Sequence, residues 1–229
     1  MRSLRCEGTA GGPKDGKHPL AFSLLELLVV IAILGLLMGL MVPALARARQ
    51  QARVVKAKAE LAGVTTALMT YYTDQQAFPP SRTYCEMGPP DKVHDWAELP
   101  PELAKGGYYP AGPPGTTITV KAIDPFNPGR TYKYLHPGKG FHNNASTSTT
   151  IWVPDGFPDG NATSGNDYYN DKDSPVSFIV FSLGTFGDIG YWNGLSRHQP
   201  CNTEDWFKGN NNGIIVRARL AKGTFVMSP

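Results

Sequence analysis

Charge is the first thing this chain is short of: only 18% of its 229 residues are Asp, Glu, Lys or Arg, and the formal net charge is +3. The distribution says more than the sum. Residues 1–21 carry four basic and two acidic side chains, residues 22–60 carry five basic ones against Glu26 and Glu60, and the rest carries 13 basic and 15 acidic. A slightly acidic C-terminal portion lacks the basic footprint of a nucleic-acid binder, which argues against nucleic acid as a partner. Catalytic motifs are missing too. Ser182 stands in F-S-L-G without the nucleophile elbow, Gly184, Gly187 and Gly190 do not make a dinucleotide fingerprint, and Gly138-Lys139-Gly140 is not a phosphate loop. His136 and His142 flank a Pro-Gly turn and offer a metal pair in principle, but exposed turn histidines are far commoner. No catalytic set survives, and the chain reads as a non-enzyme. Cysteine is scarce, with Cys6, Cys85 and Cys201 the only three.

The same shortage of charge becomes a signal between Phe22 and Val42, where 21 residues carry one ionisable side chain, Glu26. At 1.5 Å per residue such a helix covers roughly 30 Å, the hydrocarbon thickness of a bilayer. The overall mean hydropathy is negative, so membrane character is confined to this one segment. An unpaired charge inside lipid costs at least ~2.5 kcal/mol, which marks Glu26 as functional. Gly35 and Gly39 form a G-x-x-x-G notch that lets helix backbones approach closely, and Pro43 removes one backbone hydrogen bond where the run ends.

The pattern Phe22, Glu26, Pro43 resembles the start of the mature chain in type IV pilin-like proteins, the pilins and the type II secretion pseudopilins. That resemblance implies a leader over 1–21, cleavage between Ala21 and Phe22, and N-methylation of the new Phe22 amine. It also implies that Glu26 pairs with that amine on an adjacent subunit during assembly, intra-chain pairing being the alternative. The family's usual glycine before the cut is Ala21 here, also a small residue. A competing reading is an ordinary secretory signal cut after Ala44-Leu45-Ala46, giving a soluble protein that starts near Arg47. The length of the apolar run and the charge of Glu26 inside it count against this. Orientation is contested by the cations Arg47, Arg49, Arg53, Lys56 and Lys58, which by the positive-inside rule pull that end towards the cytoplasm. The resemblance implies the opposite: a single-pass inner-membrane protein with its head in the periplasm or on an extracellular filament.

Beyond Pro43 a helical period continues. Leu45, Ala48, Ala52, Val55, Ala59, Ala62, Thr66 and Met69 recur at three- and four-residue steps, mostly small, and are expected to pack on neighbouring helices. A bulkier face, Leu61, Val64, Leu68, Tyr71 and Tyr72, is expected to carry the head. The helix should stop near Gln75, before Phe78-Pro79-Pro80. Strands are expected at 117–120, 131–135, 149–153, 177–181, 213–217 and 224–227, and Pro/Gly-rich 79–115 reads as a loop whose only helical stretch is Asp91 to Leu103. The fold class is therefore α+β: a leader (1–21), a membrane and polymerisation helix (22–43), an amphipathic spine (44–78) and a head (79–229) with an antiparallel sheet packed on the spine.

Two head segments are similar to those of major pseudopilins. Residues 122–134, A-I-D-P-F-N-P-G-R-T-Y-K-Y, with His136-Pro137-Gly138, resemble the D-P-W-G-N-P-Y segment and the following strand and turn. Phe181 to Gly187 resembles the S-x-G-x-D-G loop that in the family helps hold calcium. Phe186 replaces the aspartate, leaving the Leu183 carbonyl and Asp188 as candidate ligands. Residues 79–115 and 140–175 look like insertions. The latter includes oxygen-rich loops at 155–161 and 167–173, without EF-hand spacing. Cys6 leaves with the leader, so Cys85 and Cys201 in the exported head are expected to be joined as a disulfide, two unpaired buried thiols being the alternative. The resemblance implies a structural subunit of a type II secretion pseudopilus, with copies of itself, a prepilin peptidase, an assembly platform and minor pseudopilins as partners. A type IV pilus or surface-fibre subunit is the alternative.

Overall fold

The computed structural model describes residues 23–85, 95–116, 118–159, 164–184, 200–209 and 213–229. They fall into two units divided between Arg47 and Ala48. Helix α1, Leu24–Gln75, contributes to both and includes Pro43. Its C-terminal end is set locally: Gln76 takes the left-handed conformation at φ 55°, its N–H donates to Tyr72 O at 2.8 Å, and Phe78-Pro79-Pro80 follows.

In the second unit the helix buries one face: Val54, Ala57, Leu61, Val64, Thr65, Ala67 and Leu68. Thr65 satisfies its hydroxyl within the helix by donating to Leu61 O at 2.7 Å. Against this face lies a four-stranded sheet in the order β10-β9-β8-β3, antiparallel throughout. Its strands are β3 (Lys133–Leu135), β8 (Val176–Ser182), β9 (Ile215–Leu220) and β10 (Phe225–Met227). Strand β8 is buried along its whole length, because its two faces meet different cores. Phe178 and Val180 join the helix-side cluster with Tyr132, Tyr134 and Ile215, while Ile179 and Phe181 point into a second cluster with Ile151, Val153, Cys201, Trp206 and Val216. Alternation across a strand thus appears as a near-continuous apolar run. Helix and sheet are also joined by a polar link, as Tyr132 Oη donates to Glu60 Oε2 at 2.6 Å.

A second sheet runs β2-β1-β4-β5, and a separate pair is made by β6 and β7. The strands are β1 (Ser81–Cys85), β2 (Asp95–Glu98), β4 (Gly138–His142), β5 (Ala145–Thr149), β6 (Ile151–Pro154) and β7 (Gly165–Tyr168). Here the expectations need correction. Residues 79–115 are not all loop, since they supply β1, β2 and the short helix α2 (Glu102–Lys105). Pro101 stands at the N-cap position of α2 without a side-chain capping bond, a place where a proline gives up an N–H that would be unpaired anyway. The sheet is not wholly antiparallel either: β1 pairs with β4 in parallel, Ser81 opposite Gly140. Such a pair draws on residues more than fifty apart and leaves no local pattern. Val120 makes only an isolated bridge to Ala111, so no strand forms over the described part of 117–120. The stretch 140–175, expected to be an insertion, takes part in two hairpins, β4–β5 and β6–β7, the first turning on Asn143 and Asn144 at φ 49° and 66°.

His136, which follows β3, is buried and held by a hydrogen bond of 2.7 Å between Nδ1 and Ser177 O. Burial lowers its pKa, outweighing the Ser177 bond and the Asp171 carboxylate, which raise it. A depressed histidine contributes stability above its unfolded pKa of about 6.5, and that stability is lost as pH falls through the lower folded value. The head is therefore expected to melt at lower temperature as pH drops from about 6.5 into the acid range. His136→Gln should flatten that part of the profile, as read by thermal denaturation across pH; an unchanged slope would remove His136 as its cause.

Candidate assembly site

The helix start is built by a reciprocal cap. The Ser23 N–H donates to Glu26 Oε2 at 2.9 Å, and the Glu26 N–H donates to Ser23 Oγ at 3.1 Å. Serine at the cap with glutamate three residues on satisfies two orphan donors of the first turn. This role was legible as S-x-x-E opening an apolar run, and sequence reasoning missed Ser23 by attending only to the charge of Glu26. Within one chain Glu26 thus has a partner made of its own first turn. Ala21 and Phe22, the expected cleavage and methylation positions, lie outside the described residues.

From the cap to Val42 the helix is apolar apart from Glu26, and uncovered. Leu24 is 87% exposed, and Val30, the least exposed of the large side chains from Leu24 to Val42, is still 45% exposed. By length and composition this helix is able to cross a membrane, and none of its apolar window is buried by the chain itself. Beyond the local helix backbone, Gly35 and Gly39 have nothing within 4 Å of where a Cβ would sit, so the notch is open to a neighbour. Pro43 is exposed and inside the helix. In the second unit the expected small-residue stripe stays outside the core: Ala48, Ala52, Val55, Ala59 and Thr66 are exposed, with Ala62 and Met69 half-buried. The core-facing stripe, by contrast, begins at Val54 rather than at Leu61. Ala57 could not be distinguished in advance from the other alanines of the segment.

Cys201 is a free thiol, fully buried, and the side chain of Cys85, its expected disulfide partner, lies outside what the structure describes. Cys201 packs with Ile151, Phe181, Leu183 and Trp206 behind the first sheet, whereas Cys85 ends β1 in the other one. Burial pushes its pKa up, so the thiol stays protonated and unreactive. Thiol labelling of the folded, membrane-extracted protein should therefore leave Cys201 untouched. The unreduced, denatured mature chain should label at both Cys85 and Cys201. No label on the denatured chain would restore the disulfide.

The histidines are engaged separately, His136 with Ser177 and His142 Nδ1 with Thr83 Oγ1 at 3.1 Å. Of the calcium candidates, Leu183 is buried and Asp188 lies outside the described residues. Among the described residues no group of three or more carboxylates, histidines or cysteines comes together to hold a metal.

The described residues provide a capped, uncovered apolar helix carrying one carboxylate and, in the second unit, a stripe of small residues outside the core. Residues 18–42 match the family model described as the prokaryotic N-terminal methylation motif. The chain is 32% identical over 117 residues to the type II secretion system core protein G of Pseudomonas aeruginosa, covering 51% of this chain and 73% of that protein. It is 29% identical to the protein of the same name from Dickeya chrysanthemi, covering 65% of this chain and 90% of the relative. With that of Klebsiella pneumoniae it shares 32% identity over 63% of this chain and 91% of the relative. No solved structure matches. An N-terminal methylation motif, a membrane-length helix entering a β-sheet head, and identity along most of these relatives lead to one assignment: the chain belongs to the family of the type II secretion system core protein G, the pseudopilins.

Proposed function

We propose that this chain is the structural subunit of a type II secretion pseudopilus, inserted in the inner membrane by its N-terminal helix and drawn from there into a filament. The observation that carries this reading is the helix itself: Leu24 to Val42 is exposed throughout, and an apolar surface of this extent marks a protein or membrane contact. Lipid covers it before assembly and other copies cover it afterwards. Gly35 and Gly39 admit a neighbouring backbone, Pro43 loosens the helix where it leaves the bilayer, and Glu26 pairs with the Phe22 amine of an adjacent subunit. A prepilin peptidase cuts between Ala21 and Phe22, and an assembly platform and minor pseudopilins start the filament. The head lies on the periplasmic side, against the pull of the cations that follow the span.

The test is the mature N-terminus. Intact mass and N-terminal sequencing should find a chain beginning at methylated Phe22, and Ala21→Trp should leave the uncut precursor in the membrane. A mature chain beginning at Arg47 would overturn the reading in favour of a secreted soluble protein.

A further inference from the structure

We propose that the cationic column on the exposed side of α1 docks the acidic β6–β7 lobe of a neighbouring copy in the filament. This rests on the filament reading above. Arg49, Arg53 and Lys56 follow one another at steps of four and three, so they stand in one column along the helix, beside the buried face of Val54, Ala57 and Leu61. Arg49 and Arg53 make no ion pair among the described residues, and Lys56 reaches only Glu60, at 3.8 Å on the surface. Such an exposed pair contributes little.

The opposite sign is concentrated elsewhere in the head. Asp155, Asp159, Asp167, Asp171 and Asp173 are all exposed, and between residues 143 and 173 the only basic side chain other than histidine is Lys172. None of these five aspartates makes an ion pair among the described residues. Asp155 and Asp173 accept hydrogen bonds from the side-chain amides of Asn166 and Asn170, at 3.3 and 2.9 Å, which orient the carboxylates without neutralising them. The lobe is anchored, since Ile151 and Val153 of its hairpin are buried in the core. Two uncompensated patches of opposite sign, each on an ordered element, do not satisfy each other within one subunit.

Two anionic partners compete for the column: lipid headgroups and protein carboxylates. Lys56 lies fourteen residues past Val42, which is roughly 21 Å of helix rise. The headgroup layer is about 5–8 Å thick on each side. Lipid therefore reaches the first cations and not Arg53 or Lys56, and a second copy is the occupant that supplies enough carboxylates.

The experiment uses the full chain in cells that assemble filaments. One variant carries Arg49→Glu, Arg53→Glu and Lys56→Glu, another Asp167→Lys, Asp171→Lys and Asp173→Lys, and a third all six. Each reversal alone should lower sheared-filament yield at least about tenfold, because like charges then face each other across the contact. The combined variant should return to within about twofold of wild type. Wild-type yield from either single reversal, or no recovery in the combination, overturns the docking. Loss confined to the helix variant, with weaker sedimentation on phosphatidylglycerol vesicles, assigns the column to lipid and overturns it too. A wild-type chain that makes no filament defeats the filament reading itself. As a check independent of folding in the charge variants, chains carrying Arg53→Cys and Asp171→Cys are co-expressed and oxidised. A heterodimer above the wild-type background is expected in filaments, and its absence counts against the docking.

Discussion

Glu26→Leu is expected to abolish filaments while the chain remains in the membrane and is still cut. The substitution removes a charge whose burial in lipid costs at least ~2.5 kcal/mol, so a lone subunit should insert at least as well as before. The capping pair with Ser23 adds a complication, since leucine at 26 also breaks that cap, with a loss of about 1 kcal/mol. Glu26→Gln separates the two roles. Glutamine at this position keeps the reciprocal cap but carries no charge. If the carboxylate serves assembly by pairing with the Phe22 amine of the next subunit, Gln should fail as Leu does, because the attraction of two charges in an apolar environment is what is lost. Normal filament yield from Glu26→Gln, measured by shearing and electron microscopy, would show that only the cap matters and would falsify the pairing.

The second large effect is expected at the helix face that carries the head. Leu68→Ala removes a side chain with no exposed surface from a cluster that also contains Leu61, Tyr134, Phe178 and Val180. Leucine-to-alanine changes in such cores cost roughly 2–5 kcal/mol, which for a domain of this size lowers the melting temperature by on the order of 10 °C. Head protease resistance should fall accordingly, whether or not the chain assembles. Val55→Ala is the contrast. Val55 is 67% exposed, so head stability should move by less than about 0.5 kcal/mol. A filament defect in Val55→Ala without a melting change would mark the small-residue stripe as a contact between copies, and loss of stability on that substitution would place it in the core instead.

The N-terminal half was legible because its determinants are local. A membrane-length run with one charge, a glutamate near its start, a proline at its end and a helical period beyond are all readable within a few turns of chain. The end of α1 near Gln75 and the apolar run that becomes β8 were readable for the same reason. Ser23 was available in the sequence as well, and went unread because a cap is recognised by its spacing to Glu26 and not by its own character. The β-strands of 79–115 and 140–175 left weaker signs. β1 reads S-R-T-Y-C and β5 reads A-S-T-S-T, neither with an apolar face, and both are strands because of what lies beside them.

By itself, then, the sequence determined the class of the protein, the membrane helix, the position of its carboxylate and the presence of a β-rich head, all set by hydrophobic transfer and helix periodicity along the chain. Only the tertiary structure decided that β1 runs parallel to β4, that the core-facing stripe starts at Val54, and that Cys201 sits in an apolar cluster. Each of these turns on a contact between residues distant in sequence. Backbone pairing is blind to side-chain identity, alanine and threonine suit a core or a surface equally, and a lone cysteine is as good a small hydrophobe as half a disulfide, so the choice falls to whichever neighbours the fold brings up.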